Sequence, residues 1–315
     1  MSLLRHLALG AMLALAPALA HAGQLVFAWS PNPQTPQVDV ALEKGYFKDA
    51  GLDVKIVPFN SGRAGFEALL GGQVDVAFMA EFPAATGALM KQKFVIVGDL
   101  ARFTGSRIIG NRKAGPLTGV SDLAGRKIGT TIGTNVHYFL DTALAEAGVK
   151  ATIVSAAPSD LVPAVSRGDV DAIAPFPTFY GAAKKTLGAN YEELRVPGYK
   201  VHFILAATPA MTGKRAADLK AFMAALKRAD RDVAADPKAA MAAVAKDMNG
   251  AMSPDALAAM WKDVDIGLTL DDGLTDLILS ESNWILKQGV VRAKPLTRAE
   301  VAAYMAPAAL DAATN

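Results

Sequence analysis

Residues 24–57, QLVFAWSPNPQTPQVDVALEKGYFKDAGLDVKIV, decide the fold. The apolar run 24–29 reads as a buried strand. Asn32-Pro33 and the neighbouring prolines then make a stiff loop. Thr35 followed by Pro36 is an N-cap with a first-turn proline, so a short helix is expected through Leu42, ending at Gly45. Tyr46 and Phe47 pack, Gly51 turns, and 52–57 forms a second strand. Strand, helix, strand in this spacing is one βαβ unit, which joins parallel neighbours in a sheet.

The same solution recurs along the chain. After residues 61–63 a helix is expected to about Leu70, stopped by Gly71-Gly72, with a strand over 74–79. The stretch 66–83, FEALLGGQVDVAFMAEFP, is echoed by 163–180, PAVSRGDVDAIAPFPTFY. Each is a short helix, a glycine turn, Val-Asp, an apolar strand and a proline-containing corner. Two copies suggest two domains built alike, since a solenoid needs at least about three at a fixed period. Asp75 and Asp171 hold equivalent places before their strands and read as turn-stabilising. Further strands are expected over 94–97, 126–131, 153–156 and 201–207. From about Lys214 onward the chain reads as helical, with a start at Ser253-Pro254, a capping box at Thr297 and Glu300, and a close at Gly289. The alanine-rich stretch 233–246 spaces its apolar residues as an amphipathic helix does.

The totals bound the function. The chain has 315 residues, 52% of them apolar, a net charge of +2 and no cysteine. That length suits about two domains. Charge so nearly balanced, with basic residues scattered, argues against nucleic acid as a partner. Without cysteine there is no disulfide, thiolate nucleophile or cysteine metal site. Residues 1–22 carry Arg5 and His6, an apolar run over 7–19 and an Ala-His-Ala cleavage signal, the plan of a secretory signal peptide. A mature chain beginning near Gly23 and exported to the periplasm is expected.

TTIGTNVHYFL, residues 130–140, runs from a strand through bare, small, polar residues into a helix. A helix start leaves N–H groups unpaired and carries roughly half a positive charge. Small residues let an oxyanion approach those groups. The alternative is a well-capped helix with no ligand, which Thr134 or Asn135 would also serve. Three more corners follow strands: Ser30-Pro31-Asn32, Glu81-Phe82 and Phe176-Pro177-Thr178. Ligands of open α/β sheets gather at the carboxyl ends of strands. If two sheets face one another, all four corners meet in one cleft.

These segments resemble the type II periplasmic binding proteins of ABC importers, nearest the group that binds aliphatic sulfonates, taurine and nitrate and includes thiamine-pyrimidine relatives. The resemblance rests on LEKGYFKDAGLDVKIVPF (42–59), GFEALLGGQVDVAFMAEFPA (65–84), VSDLAGRKIGTTIGTNVHYFLDTALAEAG (120–148) and RGDVDAIAPFPTF (167–179). It implies a two-domain α/β Venus-flytrap fold, each domain a mostly parallel sheet flanked by helices. Domain one would hold 24–107 plus 208–315 and domain two 108–207, with crossings near 107–110 and 201–207 as the hinge. It also implies a monomeric receptor that hands a small organic anion to a permease, with no cofactor or metal. Pro31-Asn32 and Pro175-Phe176-Pro177 depart from the aromatic-Gln and Asp-Pro patterns usual in those loops and leave the solute open.

The expected ligand-binding residues are Ser30, Asn32, Arg63, Glu81, Phe82, Thr134, Asn135, His137, Phe176 and Pro177. Arg63, in a glycine-rich turn, could grip an oxyanion in bidentate fashion or stand as a solvated loop arginine. Glu81 would suit a zwitterion if it lines the cleft; otherwise it partners Arg102, Arg107 or a backbone N–H. His137 could donate to an oxyanion or simply pack. Phe82 and Phe176, with Trp29, could wall an apolar tail. Two other functions compete: an enzyme on the same fold, and a sensor acting through a partner. No G-x-S-x-G, H-E-x-x-H, Walker A or G-x-G-x-x-G motif supports the enzyme.

Overall fold

The computed structural model describes residues 24–289 and 291–313. The signal peptide expected over 1–22 lies outside the described residues.

The strands are β1 (Leu25–Trp29), β2 (Val54–Pro58), β3 (Val76–Ala80), β4 (Val95–Phe103), β5 (Arg107–Asn111), β6 (Lys127–Thr130), β7 (Thr152–Ser155), β8 (Ala172–Ala174), β9 (Tyr191–Arg195), β10 (Val201–Ala207) and β11 (Val264–Thr269). They form two sheets, ordered β11-β4-β10-β3-β1-β2 and β7-β6-β8-β5-β9. β1 pairs parallel with β2 and β3, and β6 parallel with β7 and β8. Both sheets are mixed. β10 enters the first antiparallel to β3 and β4, β11 lies antiparallel to β4, and β5 runs antiparallel to β8 and β9.

The chain passes between the sheets twice. It leaves after Phe103, entering β5 at Arg107, and returns between Arg195 and Val201. The return comes earlier than the 201–207 expected from the sequence. Val201–Ala207 is buried throughout and takes its hydrogen bonds from β3 and β4, so it is an inner strand of the first sheet.

The repeated Val-Asp element has one structural job in both copies. Asp75 accepts the Val26 N–H at 2.8 Å while its own N–H reaches the Val26 carbonyl. Asp171 does the same to Lys127, again at 2.8 Å. Each aspartate thus stitches the start of one parallel strand to its neighbour, a backbone donor satisfied where the ladder has not yet begun. Immediately after each, β3 and β8 run wholly apolar through the middle of a sheet.

Helices close as their sequences foretell. Gly45 and Gly289 take φ of +71° and +70° after their helices, a region open to glycine at little cost. Ser253 caps the Ala256 amide, and Thr297 and Glu300 form the capping box. The tail after Lys214 is not all helical, because β11 completes the first sheet. Its residues are mostly half-buried, so no continuous apolar run marks it as a strand. β5 and β9 also escaped the sequence reading.

Candidate functional site

The parallel strands aim their carboxyl ends at a cleft of about 420 Å³. From the first sheet come Ser30, Pro31 and Asn32 after β1, Phe59 to Ser61 after β2, and Pro83 beyond β3. From the second come Thr134 and Asn135 after β6, Pro158 and Ser159 after β7, and Phe176 to Phe179 after β8. Phe78, Met79 and Phe203 line it from within the first sheet. The walls are therefore largely apolar, with a few convergent polar groups, the usual make-up of a small-molecule site.

Two long helices begin here from opposite sheets. Ser61 caps Gly62–Leu70, accepting the Ala64 amide at 3.3 Å. The helix Asn135–Glu146 has Thr134 at its N-cap, yet no side chain caps it. The Thr134 hydroxyl turns away and donates to the Thr131 carbonyl at 2.7 Å. The amides of His137 and Tyr138 close on the Thr134 carbonyl, and those of Asn135 and Val136 open the helix where an oxyanion is favoured.

Arg63 joins the two sides. Its Nη1 donates to the Ile132 carbonyl at 2.9 Å and its Nε to Glu67 at 2.9 Å. The arginine therefore clasps the loop before Asn135 rather than standing free. Gly133 makes this possible, for its φ is +76° and no β-carbon stands against the guanidinium.

Of the residues expected from the sequence, the structure brings Ser30, Asn32, Arg63, Thr134, Asn135, Phe176 and Pro177 to the cleft. It does not bring Glu81, Phe82 or His137 there. Phe82 is 2% exposed and packs its ring on Tyr138 and Trp284, each 5.7 Å away between centroids. His137 stands edge-on to Trp284 at 5.4 Å, and burial lowers its pKa. Phe82 and His137 line an adjoining groove of about 350 Å³ with Trp284 and Val291, which shares Arg63 and Pro83 with the cleft. Trp29 is core, packed on Phe27 and Phe78.

Glu81 is wholly buried. It accepts the hydroxyl of Tyr199 and, at 2.9 Å, the backbone N–H of His202. Neither Arg102 nor Arg107 reaches it; Arg102 binds Asp265 and the Gly267 carbonyl, and Arg107 binds Glu193. Glu281 is the second carboxyl of this cluster, 3.4 Å from the same Tyr199 hydroxyl. Burial pushes both carboxyls up, and the charge of Glu81 pushes Glu281 further. Nearby, His202 holds Asp99 at 2.7 Å; burial opposes a charge on the ring, but this partner outweighs it and raises the histidine pKa. Of the two sequence readings of Glu81, a ligand group or the partner of an arginine or a backbone N–H, the His202 N–H bears out the last. The hydroxyl partner, Tyr199, lies 118 residues away, where no local pattern points.

The sequence reading missed other lining residues. Asn60, Ser61, Pro158 and Ser159 also follow strands, so the rule that found the four corners reaches them too. Asp247, Met248 and Asn249 come from the end of the helix Pro237–Asp247, and no sequence signal marks them.

Two facing α/β sheets with a cleft at their strand ends define the two-domain type II periplasmic-binding-protein fold, and the solved structures agree. The alkanesulfonate-binding protein SsuA of Xanthomonas axonopodis pv. citri, solved with MOPS, superposes with a TM-score of 0.75 at 18% identity, covering 91% of this chain and 99% of that one. The nitrate-binding protein NrtA of Synechocystis PCC 6803 gives 0.72 at 12% identity, covering 92% and 88%. Within that fold, the chain belongs to the family described as NMT1/THI5 like, which it matches over residues 32–240. Among curated proteins, an Escherichia coli K12 protein described as binding aliphatic sulfonates is 28% identical over 214 residues, 66% of this chain. The match spans 65% of that relative's length, slightly under two thirds.

Proposed function

We propose that this protein is a periplasmic solute-binding receptor that captures a small organic anion, an aliphatic sulfonate or taurine-like solute, and delivers it to an ABC import permease. The observation that carries the reading is the uncapped start of the helix Asn135–Glu146, facing the Ser61-capped helix across an apolar-walled cleft. Backbone amides would take the oxyanion, and the phenylalanines would take its carbon chain. No histidine lines the cleft among the described residues, which favours a receptor over an acid–base enzyme. The lobes of this reading are 24–103 with 201–313, and 107–195, hinged at the two crossings. The receptor acts as a monomer and closes over its solute.

Thermal unfolding of the mature chain with ethanesulfonate, taurine, MOPS, nitrate and an aminopyrimidine tests this. A true solute at ~100 times its dissociation constant adds about 2.7 kcal/mol. Stabilisation by nitrate alone, or by the pyrimidine alone, moves the assignment to those branches. Stabilisation only by cations overturns it, and turnover of a bound solute would make the protein an enzyme.

A further inference from the structure

The helix Asn135–Glu146 belongs to the second lobe, yet the first lobe holds its flank. The helix Asp272–Lys287 packs on Phe82–Leu89 of the first lobe. It carries Glu281 and Trp284, with Gln288 just past its end, and spacings of three and four put these on one face. The indole N–H of Trp284 donates to Oδ2 of Asp141 at 2.9 Å. The side-chain amide of Gln288 donates to the same oxygen, also at 2.9 Å. His137 and Tyr138 stand four and three residues before Asp141, so they share its face. Their rings meet Trp284 edge-on, each with centroids 5.4 Å apart. Edge-on ring pairs favour one orientation, so the contact fixes an angle as well as a distance.

None of Asp141, Trp284 and Gln288 lines the cleft. The same helix is gripped a second time just before its start, where Arg63 of the first lobe donates to the Ile132 carbonyl at 2.9 Å. Both grips come from the first lobe and fall on one helix of the second. The open amides of Asn135 and Val136 stand between them in sequence. If the second lobe swung back, the Asp141 carboxylate would part from two donors at once. Bonds to a charged acceptor are stronger than neutral ones.

We propose that Trp284 and Gln288, through Asp141, form an interlobe latch that fixes the approach of the helix Asn135–Glu146 to the cleft. Trp284 is then a positioning residue that stands outside the cleft. This rests on the receptor reading above and adds a determinant of affinity remote from the solute. With the latch made, the lobes keep the binding-competent arrangement before a solute arrives, and less of the binding energy goes into moving them. Of the chain's three tryptophans, Trp284 is the one that bridges the lobes. Trp29 is core, and Trp261 donates to the Pro33 carbonyl at 2.7 Å within the first lobe.

Trp284→Phe keeps an aromatic ring against His137 and Tyr138 and removes only the N–H. Asp141→Ala removes both bonds, and Asp141→Asn keeps an acceptor oxygen. Small-angle X-ray scattering of the mature chain without solute reads the lobe arrangement. Calorimetric titration with ethanesulfonate reads its consequence, and thermal unfolding checks that each variant is folded. Trp284→Phe and Asp141→Ala should both enlarge the radius of gyration. Both should also weaken ethanesulfonate about three- to tenfold, because a smaller fraction of the chain is competent to bind. Asp141→Asn should stay near the natural protein in both measurements. The double variant should match Asp141→Ala alone, since the indole bond is already gone. An unchanged radius overturns the latch whatever the chain binds, and so does a changed radius with unchanged ethanesulfonate affinity. A changed radius where no form of the chain binds ethanesulfonate keeps the latch and overturns the sulfonate reading instead.

Discussion

A β-carbon on Gly133 would lie 2.2 Å from Nη1 of Arg63. The glycine sits in the second sheet's loop and the arginine on a helix of the first, so this pair sets how closely the two sides approach. Gly133→Ala also forces a side chain onto a φ of +76°. We expect a loss of roughly 1–2 kcal/mol from the backbone alone. The Arg63–Ile132 bond should break as well. Urea unfolding reads the first effect. A weakened solute affinity, matched by Arg63→Ala, reads the second; equal affinity in all three proteins would show that the clasp does not serve binding.

Gly62 makes a comparable close approach on the cleft floor. A β-carbon there would stand 2.5 Å from Cα of Met79, which is strand backbone and cannot swing aside. Gly62→Ala should therefore push the helix Gly62–Leu70 off β3, at a cost of about 1–3 kcal/mol. Ser61 and Arg63 would move with it, so solute affinity should fall alongside the melting temperature.

The buried carboxyls predict how stability changes with pH. Glu281 has its folded pKa raised by burial and by Glu81. It therefore binds more protons folded than unfolded. Its contribution is complete below the unfolded value of about 4.3 and is lost as pH rises through the folded value. Glu281→Gln should flatten the fall in unfolding free energy as pH rises above the ordinary carboxylate range. A slope unchanged by the substitution would remove Glu281 from this account. His202, also raised, acts in the same direction, losing its part as pH climbs.

The aspartate stitch can be tested in each sheet. Asp75→Ala strands the Val26 amide and takes the 2.8 Å ion pair from Arg215. Asp171→Ala strands only the Lys127 amide. Each should cost about 1–3 kcal/mol in urea unfolding. The Asn variants should recover part of that, because an amide oxygen still accepts.

Much of this architecture was legible because parallel strands leave a plain trace. β3 and β8 are short apolar runs bounded by glycine turns, and the Val-Asp pair precedes both. β11 left no such trace: only Leu268 in it is buried, and it lies among helices. The cleft was legible where its residues follow strand ends, as with Ser30, Thr134 and Phe176. It was illegible where packing alone delivers a residue. Asp247 arrives at the end of the helix Pro237–Asp247, which packs on the helix Pro36–Glu43 from the far end of the sequence. Glu81 shows the opposite case: a charge in an apolar run suits a solute or a buried N–H equally, and only the third dimension supplies the His202 amide and Tyr199.

Tyr199 lies in the return crossing between β9 and β10, its hydroxyl anchored to Glu81 inside the first lobe. A connector fastened at its midpoint can twist but cannot lengthen. On the receptor reading, closure over a solute is then a swing about that pin, like a door on its post.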